Sequence, residues 1–429
     1  MIASALDQDR LRSAVSNIPR DALSDLRQQA FENFARQGFP STREEDWRYT
    51  NLAAAVDISN HWLAQDAGDG ANSPIDIPDT GIDAHWVVIA NGMPDREILG
   101  SLASLRVHGI TVEILSSMND GPDLTIDDSI ASFNAALLKD GLHVQIADGV
   151  TAEKPLGFLV FDRADSVPGL SQFRLVIDVG RGARASFVQI ERSAGEHEYF
   201  STSVVELRLA EDATADFLRL QERAPGHVQT GQFRASLAAG AMLRHGAVDV
   251  GGQLVRNDLR VILNGPAANA CMTGTYLADG RQHIDNHLFA DHAVGPAQSR
   301  QEYRGIAAGR SRCVFNGKAT VRPGAAGTDA VQSNHNLLLS DHAEIDTKPE
   351  LEIYADDVKC SHGATVGQLD ENSVFYLRSR GLDRDDAIRL LTQAFAASIL
   401  NELPVAAAHG YVNGIIGRKL NGMISETIA

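Results

Sequence analysis

Two segments near the middle of the chain share one short pattern: VGRGARASFVQI, residues 179–190, and LAEDATADFLRL, residues 209–220. In each segment an apolar residue is followed by turn-forming residues, a small residue, and then apolar residues at alternate positions. Alternation with period two is typical of a strand with one buried face. The pattern recurs as far as residue 360. Such a recurrence predicts a stacked, solenoid-like β architecture.

The small residue of each repeat marks the start of a predicted strand. These residues are Ala183, Ala213, Ala241, Ala267, Ala293, Ser311, Ala343 and Val358. Their uneven spacing predicts a β-helix with loops of variable length. An antiparallel β-sandwich with regular turns would give a similar alternation and stays open as the less favoured fold.

The two ends of the chain have helical patterns instead. Asp21 precedes a predicted amphipathic helix that Gly38 closes, and Asp383 precedes a second one with an apolar stripe from Ile388 to Ile399. We therefore predict three regions: an N-terminal helical or mixed region, a β-helix core and a C-terminal helical region, at residues 1–150, 151–370 and 371–429.

Composition excludes several classes of protein. The net charge of −18 argues against binding to the nucleic-acid backbone. No apolar run approaches the roughly 20 residues that cross a membrane, and the first twenty residues lack a signal-peptide pattern. No phosphate-binding loop or dinucleotide fingerprint is present. These features predict a cytoplasmic protein without a recognisable catalytic motif of its own.

The three cysteines, Cys271, Cys313 and Cys360, are too few and too scattered for a disulfide framework. If strands follow Ala267 and Ser311, the alternation places Cys271 and Cys313 inside the solenoid. We therefore expect both to be structural core thiols.

Cys360 and His362 are two positions apart on the last predicted strand, so their side chains share a face. A thiol beside an imidazole is half of a soft-metal site. The last rung has no further rung to cover it, so the pair could complete a site with a second protein. A buried cysteine beside a hydrogen-bonded histidine is an equally open interpretation. His283, His287 and His292 are expected to make ordinary hydrogen bonds, because their spacing is not diagnostic of metal binding.

Several stretches resemble the SufB/SufD family of iron–sulfur cluster assembly scaffolds. The longest is HNLLLSDHAEIDTKPELEIYADDVKCSHGATVGQLDENSVFYLRSRGL, residues 335–382, and YRGI at 303–306 and VFNGK at 314–318 also match. STREEDWRYTNL at 41–52 is similar to the SufD branch. The SufB branch usually carries an N-terminal cysteine cluster, whereas this chain has no cysteine before Cys271.

The resemblance implies a right-handed parallel β-helix core flanked by helical N- and C-terminal regions. It implies a non-enzymatic scaffold in a cytoplasmic complex with SufB, reached through the β-helix ends, and the SufC ATPase, reached through the C-terminal helices. The nascent iron–sulfur cluster would be transient and shared with SufB, with His362 as the ligand from this side and Cys360 as the neighbouring cysteine that matches the family. The scaffold would also support iron acquisition, and the isolated chain would hold no bound cofactor.

Two other hypotheses stay open at this point. The chain could be a SufB-like or self-pairing family member that assembles clusters without a distinct SufB, and the isolated chain could homodimerise. A β-helix carbohydrate-active enzyme would need paired carboxylates and an aromatic-rich groove, but aromatic residues are only 6% of the chain.

Overall fold

The protein is described by a computed structural model, which covers residues 5–65, 79–118 and 123–428. Its strands are β1 His85–Ala90, β2 Met93–Pro94, β3 Ile110–Ile114, β4 Leu142–Ile146, β5 Leu156–Ala164, β6 Gly169–Val179, β7 Arg184–Gly195, β8 Tyr199–Leu209, β9 Thr214–Glu222, β10 His227–Leu237, β11 Met242–Asp249, β12 Leu254–Leu263, β13 Asn269–Ala278, β14 His283–His292, β15 Gln298–Ala307, β16 Arg312–Val321, β17 Asp329–Leu338, β18 Glu344–Ile353 and β19 Lys359–Gln368. Its α-helices are α1 Gln8–Asn17, α2 Ser24–Gln37, α3 Ala53–Leu63, α4 Arg96–Ser101, α5 Ser129–Ala136, α6 Glu371–Ser379, α7 Arg384–Leu400 and α8 His409–Ile428.

From β4 to β19 the chain alternates between two parallel sheets. The first sheet has the order β19-β17-β15-β13-β11-β9-β7-β5-β1-β2, and the second has the order β18-β16-β14-β12-β10-β8-β6-β4-β3. One strand from each sheet makes one rung, and successive rungs stack in register. The predicted β-solenoid with helices at both ends is confirmed, and the sandwich alternative is wrong.

The structure explains why the spacing of the repeats looks irregular in the sequence. The register of the first sheet aligns the residues that precede its strands, and these residues lie 27 to 31 positions apart. They are Ala183, Ala213, Ala241, Ala268, Ala297, Thr328 and Val358. Ser311 and Ala343 instead precede β16 and β18 of the second sheet. The sequence pattern therefore combined two different sets of turns: those that precede strands of the first sheet and those that precede strands of the second.

One of these turns carries an additional residue, which reverses the predicted alternation of β13. Ala267, not Ala268, was the predicted start of this repeat, but Ala267 lies within the turn at φ 59°. Ala268 is the fully buried residue aligned with Ala241. A shift of one residue moves each side chain of a strand to the opposite face. The prediction that Cys271 lies inside is wrong for this reason.

The outer faces of both sheets are covered by helices. Apolar residues of α7 and α8, such as Ala396 and Ile415, pack against Leu218, Val248 and Ile306 of the first sheet. Helices α1, α2, α3 and α5 cover the early strands of the second sheet in a separate cluster. None of the described helices combines the length and apolar character that a membrane crossing requires.

The predicted helix boundaries at the termini are close to those observed. Asp383 accepts a hydrogen bond from the Asp386 amide at the start of α7, and Gly381 before it has a φ of 99°. Gly38 ends α2 with a φ of 68°. The domain boundary near residue 150 stays a prediction, although β1 to β4, which precede it, already belong to the two sheets.

Candidate functional site

The final rung of the solenoid, formed by β18 and β19, is open on its outer side. Among the described strands, β18 pairs only with β16 and β19 pairs only with β17. Three apolar residues of this rung, Ile353, Tyr354 and Val366, are exposed. Two free strand edges with exposed apolar side chains form a surface suited to pairing with another protein chain.

Cys360 lies on the inner face of this final rung. It is in register with Ala330 of β17 and packs against the main apolar core. Partial burial raises the pKa of the Cys360 thiol, although a hydrogen bond from the Ala330 amide opposes that effect. The thiol is therefore protonated near neutral pH and is not preformed as a thiolate nucleophile or ligand.

His362 lies two residues beyond Cys360 on the same strand, in register with the buried Gln332. Its side chain is exposed, because no strand of the described residues stacks on the outer edge of β19. Gly363 and Gly367 follow, and a Cβ atom at either position would meet no atom within 4 Å. The imidazole therefore lies at an open surface that a second backbone could approach closely.

Neither residue belongs to a complete metal site. Within residues 5–65, 79–118 and 123–428, no group of three or more His, Cys, Asp or Glu side chains is placed to hold a metal ion. An imidazole and a thiol can supply two soft-metal ligands, and further ligands would have to come from another molecule.

The two other cysteines have different surroundings. Cys313 is fully buried in the main core, and burial raises the pKa of its thiol, so the prediction of a core thiol is confirmed for this residue. Cys271 is partly exposed on the outer face of β13, with its Sγ 3.5 Å from Thr273 Oγ1. In register it lies between Arg244 and Arg300 of the neighbouring strands.

Of the three histidines expected to make ordinary hydrogen bonds, His283 and His292 do so, whereas His287 Nε2 has no hydrogen-bond partner among the described residues. His283 Nε2 lies 2.8 Å from Thr50 Oγ1, and His287 Nε2 lies 3.0 Å from Asp285 Oδ1. His292 Nε2 lies 2.8 Å from Ser299 Oγ.

A segment at residues 44–50, which we call the strap, lies across the outer face of the second sheet between β12 and β18. Trp47 lies 4.5 Å from the Arg256 guanidinium, and Glu45 Oε1 lies 3.0 Å from Lys348 Nζ on β18. The alternation of aromatic and charged residues was visible in the sequence, but its contacts come from strands more than 200 residues away.

The interior of the solenoid is more polar than the repeat pattern indicated. Arg219 occupies an inner position of β9 and pairs with two fully buried carboxylates, those of Glu191 and Asp249. Sequence reasoning missed this group, although charged residues at predicted inner positions are a signal that could have revealed it.

Exposed apolar residues also lie on the C-terminal helices. On α6, Phe375 is 71% exposed and the adjacent Tyr376 is 57% exposed, while Leu390 of α7 is 46% exposed. Val374 and Ile388 hold these two helices together in a small core. The exposed residues therefore lie on helices that pack against each other, not on an unpacked segment.

Comparisons with known proteins identify relatives of the whole chain. Residues 162–395 match the family model described as "SUF system FeS cluster assembly, SufBD core domain", and residues 9–64 match "SufBD protein N-terminal region". The chain is 29% identical to the iron-sulfur cluster assembly protein SufD of Escherichia coli, over 92% of each chain.

Two further relatives are similar over most of their length. An iron-sulfur cluster assembly SufBD family protein of Synechocystis is 29% identical, over 93% of this chain and 91% of the relative. The iron-sulfur cluster assembly protein SufD of Bacillus subtilis is 24% identical, over 97% and 98%.

Proposed function

Because this chain belongs to the SufBD family of iron–sulfur cluster assembly proteins, we propose that it is the SufD-type scaffold subunit of a cytoplasmic SufB–SufC–SufD complex. In this role it helps to build the nascent cluster at the interface with SufB and supports iron acquisition. It is a non-enzymatic subunit, and ATP hydrolysis belongs to SufC.

The open final rung is the observation that carries this proposal. It combines two unpaired strand edges, exposed apolar residues, the inward-facing Cys360 and the exposed His362. Docking of SufB against these edges would continue the parallel stack and cover the apolar residues. Cys360 and His362 would then lie at the contact, where ligands from SufB complete the coordination of iron.

His362 is the main ligand from this side. Its exposed imidazole is accessible to a partner. Cys360 contributes less, because its thiol is partly buried against the core and its pKa is raised.

SufC binds the exposed surface of the C-terminal helices. Phe375 lies on α6 and Leu390 lies on α7, and both side chains are exposed. Neither residue belongs to the apolar cluster through which α8 packs on the first sheet. Deleting these helices would not be a clean test, because α7 and α8 also cover Leu218 and Val248 of the first sheet. Substitution of the exposed residues keeps that cover intact.

The function is tested by reconstituting the complex with His362→Ala. The substitution removes an exposed imidazole, so the complex should still assemble and co-elute from a size-exclusion column. Anaerobic reconstitution with iron and a sulfide source should then give strongly reduced charge-transfer absorbance. His342→Ala is the matched control, since His342 is an exposed histidine in the turn before β18.

An intact His362→Ala complex that acquires a full cluster at the normal rate would contradict the ligand assignment. The same chromatography distinguishes the SufD-type role from the alternative, a self-pairing family member. A self-pairing member would form a cluster-competent homodimer without SufB, whereas a SufD-type subunit requires SufB for cluster formation.

A further inference from the structure

Three polar residues follow one another in the same inner column of the first sheet, which we call the glutamine column: Gln301, Gln332 and His362. Gln301 of β15 is in register with Gln332 of β17, and Gln332 is in register with His362 of β19. Neighbouring strands lie about 4.8 Å apart. Gln332 is therefore the residue directly beneath the exposed imidazole.

The two glutamines make the same contact across the solenoid interior. Nε2 of Gln301 donates to the Lys318 carbonyl oxygen at 3.0 Å, and Nε2 of Gln332 donates to the Glu350 carbonyl oxygen at 3.3 Å. These carbonyls belong to neighbouring, in-register positions of the second sheet. The cross-interior hydrogen bonds fix both amide groups in place.

Each amide keeps one buried acceptor without a partner among the described residues. Oε1 of Gln301 and Oε1 of Gln332 are both buried, and neither accepts a hydrogen bond there. The two amides therefore do not bond to each other along the column. An unpaired buried acceptor is costly, so a donor at this position would be favoured.

For Gln332, the next group along the column toward the open end is His362, and an imidazole is an N–H donor. We propose that Gln332 is a positioning residue: its Oε1 accepts a hydrogen bond from one ring N–H of His362 when the imidazole turns toward the interior. This fixes which ring nitrogen carries the proton and leaves the other as the ligand atom. The inference rests on the proposed ligand role of His362.

The chemistry of such a pair is general. Histidines that bind metals usually donate their second ring N–H to an oxygen held in place by the protein, and loss of that oxygen typically lowers metal affinity or activity about 10–100-fold. Gln332 is suited to this because its Nε2 is already engaged, so its amide cannot simply rotate to offer a donor instead.

Gln332→Met is the test variant, and Gln301→Met is its matched control. Both substitutions remove an amide that donates across the interior and carries an unpaired Oε1, but Gln301 lies one rung further from His362. Any effect of the lost cross-interior hydrogen bond should therefore be similar in the two variants.

The first measurement is the tautomer of His362 in the full chain labelled with ¹⁵N-histidine. Long-range ¹H–¹⁵N spectra report which ring nitrogen is protonated, and the missing signal of His362→Ala gives the assignment. In the unmodified chain one neutral tautomer should dominate. Gln332→Met should shift the ratio toward that of free histidine, and Gln301→Met should not.

Gln332→Glu is the conservative variant. Its carboxylate keeps an oxygen acceptor beneath the ring, so the tautomer preference that Gln332→Met loses should be retained. The second measurement is cluster formation on the complex with SufB and SufC. Gln332→Met should reduce the rate about 10–100-fold, while Gln301→Met should stay near the unmodified rate.

A Gln332→Met chain with the unmodified tautomer ratio overturns the proposal, and so does an equal shift in Gln301→Met. Undiminished cluster formation by Gln332→Met overturns it as well. The ligand role itself is tested separately by His362→Ala. If that variant forms a full cluster, His362 is not a ligand, but the tautomer measurement still tests its hydrogen bond to Gln332.

Discussion

Arg219 is a buried cation between two buried carboxylates, and Arg219→Met should destabilise the solenoid severely. Its Nη2 lies 2.7 Å from Asp249 Oδ1 and its Nη1 lies 3.1 Å from Glu191 Oε2. Both carboxylate side chains have no exposed surface. Methionine fills a similar length without charge, so the loss comes chiefly from the unpaired carboxylates rather than from a cavity.

The magnitude follows from the burial of the pair. Removing one partner of a buried ion pair typically costs about 3–5 kcal/mol, because the remaining charge is left without compensation. Here two carboxylates lose the same cation, although Glu191 keeps the hydrogen bond from Gln229 and Asp249 keeps that from Asn257. We therefore expect a loss of about 3–5 kcal/mol at pH 7.

The loss should shrink as the pH falls. In the unmodified chain, burial raises the pKa of Glu191, but the Arg219 and Arg223 guanidinium groups outweigh burial and hold it below its usual value. Burial holds the pKa of Asp249 above its usual value even with Arg219 present. Without Arg219, the pKa of both carboxyls rises in the folded state.

A raised carboxyl pKa destabilises the folded chain at pH values above the unfolded pKa, which is near 4 for these groups. Protonation removes that penalty. The difference between Arg219→Met and the unmodified chain should therefore be largest at pH 7 and smaller at pH 5.

The measurement is urea unfolding followed by far-ultraviolet circular dichroism at both pH values. Arg244→Met is the control, because Arg244 pairs with Asp216 on the outer face but its side chain is 54% exposed. An exposed pair contributes about 0–1 kcal/mol. An Arg219→Met chain within 1 kcal/mol of the unmodified chain at pH 7, or with a loss that grows at pH 5, would refute the reasoning.

Two further predictions concern the cysteines and the C-terminal helices. Cys313→Ala should lower the free energy of unfolding by about 1–3 kcal/mol, because it removes a buried core atom, whereas Cys271→Ala on the outer face should change it by no more than about 0.5 kcal/mol; equal urea midpoints for the two variants would contradict this. Phe375→Asp and Leu390→Asp should each weaken co-purification of SufC without changing the circular dichroism spectrum, and undiminished SufC recovery in both would remove the α6–α7 surface from the proposal.

The alternation around Ala183 and Ala213 was enough to predict strands with one buried face, because that is a local property of the chain. Its recurrence favoured a β-solenoid over a β-sandwich. The helix ends at Gly38 and Asp383 were predictable for the same reason, since a helix cap depends on a few adjacent residues. The position of Cys360 and His362 on one face of the last strand also followed from their spacing.

The inner or outer position of Cys271 could not be read from local pattern. It depends on one additional residue in the turn before β13, which moves the buried start of the repeat from Ala267 to Ala268. The partners of the strap were equally inaccessible, because Trp47 meets Arg256 only after the intervening chain has formed its rungs.

The sequence by itself therefore determined that this protein is a stack of strands with helical ends, and that a cysteine and a histidine share the last strand. Only the tertiary structure decided which groups lie beside them. The register of β15, β17 and β19 places Gln301, Gln332 and His362 in one column, and the closing of two sheets around one interior brings the Glu350 carbonyl to Gln332. These contacts join separate rungs and opposite sheets, so their geometry exists only once the whole stack has folded.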